Sequence, residues 1–187
     1  WFPDKNFYVT PTPHDGGLTI GAAQYVWHQT LDNPRIIWED NFTPYLGRNY
    51  SHILSPILEK FKEKIKVRES SVDEVVDLLD DQKIVAVFGE GSESGRRALG
   101  NRSILADPRS PIMQKQLNLK IKYRESFRPF APSILNEFQS EWFTSENISP
   151  YMLFISYIKK EKLLPLPSDY EALFGIEKLN VNRSKVP

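Results

Sequence analysis

The sequence contains no cysteine among its 187 residues. It therefore has no disulfide framework, no thiolate nucleophile and no cysteine-ligated zinc site. The absence of disulfides fits a reducing compartment. No stretch approaches the roughly 18 consecutive apolar residues that a membrane-spanning helix requires, and no secretory signal is evident. We therefore expect a cytoplasmic protein that does not cross a membrane.

A net charge of either sign is also missing, because 24 Lys and Arg residues balance 24 Asp and Glu residues. The balance hides an uneven distribution. The 33 residues from Arg96 to Arg128 contain nine basic residues and two acidic ones, a local net charge of +7. A short cationic segment in a neutral chain favours one anionic ligand over a polyanion, and so argues against nucleic acid as the partner.

The chain starts at Trp1 rather than at a methionine and stops at Pro187 without an evident terminal helix. We therefore expect a piece of a longer protein, comprising one domain or one domain plus a fragment. Its 11 Phe, 8 Tyr and 4 Trp residues are enough to build a packed core.

The pattern of apolar residues predicts an α/β fold. Ser71 and Glu74 have the spacing of a capping box, and apolar residues then recur at helical spacing, so a helix is predicted to about Asp81. The apolar run Ile84–Phe88 predicts a strand buried on both faces, in the centre of a sheet. A strand, a helix and a strand in this order are typical of an α/β domain.

Further elements follow from the same patterns. Asp15 is predicted to cap a helix whose buried stripe includes Leu18, Ala22, Val26 and Leu31 and which ends at Asn33-Pro34. Another helix is predicted to start at Ser110-Pro111, with Met113, Leu117 and Ile121 buried. A helix at 53–64, a connection at 32–52, and strands at 7–9, 65–67, 103–106, 130–135 and 152–155 complete the prediction.

The segment Gly95–Ser103 is the strongest candidate for a ligand site. It follows the predicted buried strand, where α/β folds commonly bind ligands. Glycine lets the backbone approach an anion closely, and arginine pairs with two phosphate or carboxylate oxygens. A surface turn with solvated arginines is the alternative. Gly89 and Gly91 do not form a dinucleotide fingerprint, and no Walker loop is present.

The segment Lys122–Phe130 is the second candidate. Alternate residues of an extended chain share a face, so Lys122, Arg124 and Arg128 are predicted to converge while Tyr123 and Phe127 pack behind them. The alternative is an edge strand with solvated charges.

His14-Asp15 is the third candidate. A carboxylate beside an imidazole can bind a divalent metal ion, but an aspartate before two glycines can equally be a helix cap. His28 and His52 have no metal-ligand spacing to this pair.

Three long motifs together resemble one family. "SESGRRALGNRSILADPRSP" and "LNLKIKYRESFRPFAPSIL" resemble the signature of carbamoyltransferases related to nodulation protein U and to the enzymes that carbamoylate aminoglycosides and cephems. "PTPHDGGLTIGAAQ" resembles the end of the N-terminal domain of the same enzymes. The resemblance is weakest at 32–70 and 136–180.

The resemblance implies two catalytic units. Residues 1–50 would be the C-terminal remnant of an actin-like (Kae1-like) domain with its linker, and residues 51–187 a YrdC-like α/β domain that is incomplete at its C-terminus. In the family, the YrdC-like unit uses carbamoyl phosphate and ATP with Mg²⁺ to form carbamoyl adenylate and pyrophosphate. The Kae1-like unit, which holds Fe²⁺, transfers the carbamoyl group to a hydroxyl of a small-molecule acceptor.

The resemblance also implies roles for individual residues. Arg97, Lys122 and Arg128 match the basic catalytic residues that hold carbamoyl phosphate or nucleotide phosphates. Asp15 matches the family's metal-ligating aspartate. Arg102, Ser103 and Arg124 belong to the same motifs and are expected to contribute to binding carbamoyl phosphate and ATP.

The sequence departs from the family pattern in two places, because the family usually has a basic residue near Gly91 and a proline near Arg96. Later motifs of the YrdC-like unit and the first metal-binding half of the N-terminal unit are missing. We therefore expect the fragment to bind phosphate ligands weakly and to be inactive alone. A nucleic-acid-binding module and an inactive structural or regulatory remnant are the alternative functions.

Overall fold

The computed structural model describes residues 9–36 and 43–185. Within them the chain forms two compact units. The first unit takes in the described residues up to Val67, together with Val87–Ser103 and Pro150–Leu153. The second comprises Arg68–Ala86, Ile104–Ser149 and the described residues from Phe154 onward. The predicted family domains 1–50 and 51–187 stay a prediction, and Phe7 and Tyr8 of the predicted first strand lie outside the described residues.

The first unit contains helix α1 (Gly17–Tyr25), which continues as a π-helical turn over Val26–Thr30, and helix α2 (Ser51–Phe61). The predicted burial of the α1 stripe is wrong, because α1 buries no residue and Leu18 is 72% exposed. An amphipathic stripe is buried only where another element packs on it, and the described part of the chain provides no such element for α1.

Asp15 does not cap α1 with its side chain, so that prediction is wrong. The N-cap residue is Gly16, which makes no side-chain capping bond. The backbone carbonyl of Asp15 accepts the N–H of Leu18 at 3.1 Å, and Thr19 Oγ1 donates to the carbonyl of Gly16 at 2.8 Å. The first turn therefore takes its hydrogen bonds from main-chain carbonyls.

Strands β1 (Val85–Phe88) and β2 (Arg102–Leu105) pair as a two-stranded antiparallel sheet. Both strands were predicted within a residue or two. The predicted central position of β1 is wrong, since its residues alternate between half-buried and exposed and Phe88 is 72% exposed. The chain is thus a mixed helix and sheet structure, consistent with the α/β class.

The second unit is built from short helical segments. Helix α3 spans Val72–Asp80, and α4 spans Met113–Gln116 and continues as a π-helical turn to Lys122. Helix α5 (Gln139–Trp142) follows a 3-10 turn at Asn136–Phe138. Later elements are 3-10 turns at Lys160–Lys162 and Tyr170–Ala172 and helix α6 (Ile176–Leu179).

The buried apolar side chains of the described residues are Met113, at 4% exposure, and Leu117. Both were predicted to face the core, and both are confirmed. Ile121 is exposed, because the π-helical turn rotates the last residues away from the direction that α-helical spacing implies. The helix begins at Met113 rather than at Ser110-Pro111, and the carbonyl of Ser110 accepts the N–H of Met113 at 3.1 Å.

Three predicted strands are irregular in the structure, at 65–67, 130–135 and 152–155. Pro132 cannot donate a ladder hydrogen bond, which disfavours a strand at 130–135. Met152 has a φ of 56°, which is outside the extended region and interrupts the third segment.

No helix in the described ranges is both long enough and apolar enough to span a lipid bilayer.

The capping box at the start of α3 is confirmed in its first half. Ser71 is extended and its side chain accepts the N–H of Glu74 at 3.1 Å. The carboxylate of Glu74 does not return to the backbone of Ser71. It bonds instead to Arg68 and Ser70, and these bonds lower the pKa of Glu74 to about 2. The helix start is therefore tied to the residues that precede it.

Replacing Ser71 with alanine removes the capping acceptor and leaves the N–H of Glu74 without its partner. We expect Ser71→Ala to lower the free energy of unfolding by about 1 kcal/mol, measured by urea denaturation. Ser133→Ala, at an exposed position outside any helix, is the control and should change stability by less than about 0.5 kcal/mol. Equal stability of the two variants would contradict the capping role.

Candidate functional site

The loop that joins β1 to β2, Gly89–Asn101, lies beside the segment Pro44–Gly47 in the first unit. The carbonyl of Pro44 accepts the N–H of Ser94 at 2.8 Å, and the N–H of Gly47 donates to the carbonyl of Ser92 at 2.9 Å. The hydroxyl of Tyr45 donates to the carbonyl of Leu99 at 2.6 Å. These bonds give the irregular loop a defined path, as a ligand site on a loop requires.

The carboxylate of Glu93 organises the same loop from inside. Its Oε1 accepts the backbone N–H groups of Leu99 and Asn101 at 2.9 Å and of Arg102 at 3.1 Å. Burial acts to raise the pKa of Glu93, but the backbone hydrogen bonds outweigh it and the pKa is lowered. Sequence reasoning missed Glu93. The available clue was an acidic residue just before a glycine-arginine segment.

Gly91 has a positive φ of 65°, and a Cβ at this position would lie 2.6 Å from the carbonyl oxygen of Tyr45. A side chain there would meet both a strained backbone conformation and a collision with main chain. In this chain the position is therefore occupied by a close backbone contact and has no room for a basic side chain.

Arg102 and Ser103, both predicted ligand residues, stabilise the loop in this structure. The guanidinium of Arg102 donates to the carbonyl of Gly89 at 2.9 Å and stacks 3.6 Å from the ring centroid of Phe88. Ser103 is buried, and its Oγ accepts the N–H of Gly100 at 2.9 Å. Their contribution to ligand binding stays a prediction.

Arg97 lines a cavity of about 360 Å³ within the first unit. Three segments of the unit surround it. They contribute Pro11, Pro13 and His14; Gly95, Arg96, Arg97 and Leu99; and Tyr151, Met152 and Leu153. The lining thus combines two arginines with one histidine and no carboxylate.

Arg96 and Arg97 are exposed, and neither guanidinium makes a hydrogen bond or an ion pair with the described residues. Their donors are therefore available to a ligand. Two unpaired guanidinium groups at one hollow favour an anion with several oxygens, such as a phosphate. Arg96 brings an additional positive charge to this hollow.

Asp15 is exposed just before α1. Among the described residues, no group of three or more His, Cys, Asp or Glu side chains could hold a metal ion. The described part of the chain therefore does not fit a complete metal centre, and the role of Asp15 as a ligand stays a prediction.

Asn118 organises the second unit around a fully buried side chain. Its Nδ2 donates to the carbonyls of Ser126, at 3.0 Å, and Arg128, at 2.8 Å. Its Oδ1 accepts Arg124 Nε at 2.7 Å, and its backbone carbonyl accepts the N–H of Arg124 at 3.0 Å. Sequence reasoning missed Asn118, although an amide between two leucines in a predicted buried stripe is unusual enough to indicate a structural role.

Lys122, Arg124 and Arg128 all lie in the second unit. Lys122 is exposed at the end of the π-helical turn, and its ammonium group makes no hydrogen bond or ion pair with the described residues. Arg124 is held by Asn118 and lies 4.8 Å from the ring centroid of Phe130. Arg128 Nε bonds to Glu125 at 3.2 Å in an exposed pair, which contributes little to stability. The binding roles of all three residues stay predictions.

The extended conformation predicted for 122–128 is wrong. Tyr123 adopts the left-handed conformation with a φ of 49° and is 85% exposed, so it does not pack behind the basic residues. The π-helical turn ends at this residue, and the chain then folds back on Asn118. The geometry of the basic side chains follows from that fold-back and not from strand alternation.

Asp107 fixes the backbone after β2. Its buried carboxylate accepts the N–H of Arg109 at 2.9 Å and also pairs with the Arg109 guanidinium and with Gln82. The hydrogen bond from Arg109 is the main cause that lowers the pKa of Asp107 to about 2, although burial opposes it. Arg109 is thus used structurally and is not available to a ligand.

In this mixed helix and sheet chain, the loop presents to a hollow two unpaired arginines, which have the geometry to pair with phosphate or carboxylate oxygens. Residues 76–179 match the family model described as Carbamoyltransferase C-terminus. The chain therefore belongs to the carbamoyltransferase family, through that family's C-terminal region, as the motifs predicted.

Individual relatives agree with the family model. The chain is 41% identical to an uncharacterized protein of Synechocystis sp., over 98% of this chain and 31% of that protein. It is 38% identical to nodulation protein U of Sinorhizobium fredii, over 79% of this chain and 24% of that protein. It is 34% identical to nodulation protein NolO of Bradyrhizobium diazoefficiens, over 84% and 30%. The chain thus spans a third or less of each of these relatives.

Glu93 makes stability depend on pH. Because its pKa in the folded state is lower than the ordinary value of 4.5, its contribution is complete above that value and is lost as the pH falls through the lowered pKa. We expect the free energy of unfolding of Glu93→Gln to fall less than that of the wild type as the pH is lowered, measured by urea denaturation at a series of pH values. Glu146→Gln, at an exposed site, should leave the pH profile unchanged. An identical profile for wild type and Glu93→Gln would refute the role.

Asn118→Ala leaves the carbonyl of Ser126 and the Nε of Arg124 without their partner in a buried site. We expect a loss of about 2–4 kcal/mol in the free energy of unfolding, measured by chemical denaturation. The matched control is Asn182→Ala, an exposed asparagine, for which the change should stay within about 0.5 kcal/mol. A loss below 1 kcal/mol for Asn118→Ala would mean that the amide network is not needed.

Proposed function

We propose that this chain is part of an O-carbamoyltransferase that activates carbamoyl phosphate with ATP and delivers the carbamoyl group to a hydroxyl acceptor. Family membership supports the group that is transferred. The cavity with Arg96 and Arg97, which no carboxylate lines, is the structural observation that supports a phosphate ligand on this chain.

In the proposed reaction, carbamoyl phosphate, ATP and water give carbamoyl adenylate, phosphate and pyrophosphate. The carbamoyl–phosphate linkage breaks, a new bond forms between a carbamate oxygen and the α-phosphorus, and the bond between the α- and β-phosphoryl groups breaks. Negative charge increases on both departing phosphates. Fixed guanidinium groups stabilise such charge in the transition state without acting as nucleophiles.

Arg97 is the proposed catalytic residue on the first unit, with Arg96 beside it in the same cavity. Arg102 and Ser103 are proposed to support the site by holding the loop in place. On the second unit, Lys122 is proposed to contact phosphate directly, together with Arg128 once its exposed pair with Glu125 opens. Arg124 is proposed to orient this segment through its bond to Asn118.

The acceptor step is proposed to take place in an actin-like (Kae1-like) unit, of which residues 1–50 form the end, while the rest of the chain forms part of a YrdC-like unit. Asp15 is proposed to supply one ligand to Fe²⁺ there, and Mg²⁺ to accompany ATP. The described residues do not by themselves complete a metal site.

The test uses the full-length protein that contains this chain. Pyrophosphate release should require both ATP and carbamoyl phosphate. We expect Arg97→Ala to lower kcat/KM by roughly 100-fold or more, measured by a coupled pyrophosphate assay. Arg183→Ala, an exposed arginine of the second unit, is the control and should retain full activity. Undiminished release by Arg97→Ala would refute the site, and release without carbamoyl phosphate would refute the reaction.

A further inference from the structure

The cavity of the first unit is bordered by polar atoms that the two arginines do not satisfy. Among the described side chains, three buried atoms have no hydrogen-bond partner, namely Thr12 Oγ1, His14 Nε2 and Ser94 Oγ. Of these three residues, His14 lines the cavity, whereas Thr12 and Ser94 are next to lining residues along the chain. Buried polar atoms nearly always have a partner, so this clustering points to a missing polar ligand.

The hydrogen bond between Gly16 and His14 indicates which ring nitrogen of His14 is the donor. The N–H of Gly16 donates to Nδ1 of His14 at 3.0 Å, so Nδ1 is the acceptor of the ring. In a neutral imidazole the proton is then on Nε2. Nε2 is therefore a buried N–H donor without an acceptor.

Glycines on both sides keep the His14 ring close to the loop. A Cβ at Gly16 would lie 2.6 Å from the ring, and a Cβ at Gly95 would lie 3.8 Å from Nε2. The ring thus fits between the start of α1 and the β1–β2 loop, in the same lining as Arg96 and Arg97. Its position is set by packing within one unit.

The charges around Nε2 of His14 indicate that the ligand of this cavity is an anion and not a cation. Arg96 and Arg97 line the cavity and no carboxylate does, so a cation would be repelled and an anion attracted. An oxyanion can accept from an imidazole N–H and two guanidinium groups at once.

We propose that His14 is a ligand-binding residue, whose Nε2–H donates to a phosphoryl oxygen of an anion held by Arg96 and Arg97. The inference rests on the proposed function and deepens it, because it assigns this cavity to the phosphate of the acyl phosphate substrate. His14 thereby acts as an N–H donor beside two permanent cations.

The binding experiment uses the full-length protein with His14→Ala and His14→Gln, and His52→Gln as the control, since His52 is exposed on α2. Inorganic phosphate, carbamoyl phosphate and ATP are titrated separately by calorimetry. We expect His14→Ala to weaken phosphate and carbamoyl phosphate about 10- to 100-fold and to leave ATP unchanged. His14→Gln retains an N–H donor and should recover most of the affinity. Unchanged phosphate affinity in His14→Ala, or an effect on ATP alone, would overturn the proposal.

A second measurement does not depend on the folding of a variant. In wild-type protein labelled with ¹⁵N-histidine, inorganic phosphate should shift the Nε2 resonance of His14, assigned from its absence in His14→Gln, and should not shift that of His52. Absence of a shift at His14 under saturating phosphate would overturn the proposal. These binding results stand apart from pyrophosphate release, so a protein that binds phosphate through His14 but forms no pyrophosphate would refute only the proposed reaction.

Discussion

Two backbone N–H groups of the β1–β2 loop and that of Arg102, the first residue of β2, converge on one oxygen of Glu93, and the path of the loop depends on that convergence. The N–H groups of an irregular loop do not pair with a neighbouring strand, and leaving them buried without acceptors would be costly. One internal carboxylate satisfies all three of these N–H groups. The loop segment between Glu93 and Leu99, which includes the exposed Arg96 and Arg97, is thereby fixed at both ends beside the cavity.

The second unit uses the same device with different chemistry. Asn118 is fully buried and satisfies backbone carbonyls of the segment that follows the π-helical turn. The carboxylate of Asp107 accepts the backbone N–H of Arg109 in the segment after β2. Met113 and Leu117 are the buried apolar side chains of the described residues, so buried polar side chains, more than apolar packing, determine where these irregular segments run. Basic residues near such a side chain divide into those that are tied to it, such as Arg124 and Arg109, and those that remain free.

Features that depend on residues close together in the sequence could be predicted, whereas features that depend on residues far apart in the sequence could not. The start of α3 was predictable because Ser71 and Glu74 are neighbours along the chain, and strands β1 and β2 were predictable from short runs of residues. The burial of Met113 and Leu117 followed from helical spacing, whereas Ile121 did not follow, because a π-helical turn changes that spacing. The apolar stripe on α1 was evident from the sequence, but the spacing of apolar residues did not show whether another element packs on it.

For the site, the sequence by itself determined the family, the cationic segment and the presence of Arg97 in it, since long motifs and charge are properties of consecutive residues. The tertiary structure decided which cations are free and what stands beside them. It tied Arg102 and Arg124 to structural partners, placed His14 next to Arg96 and Arg97, and brought Tyr151–Leu153 to the same cavity. These outcomes depend on hydrogen bonds and packing between residues far apart in the chain, which local pattern and composition do not record.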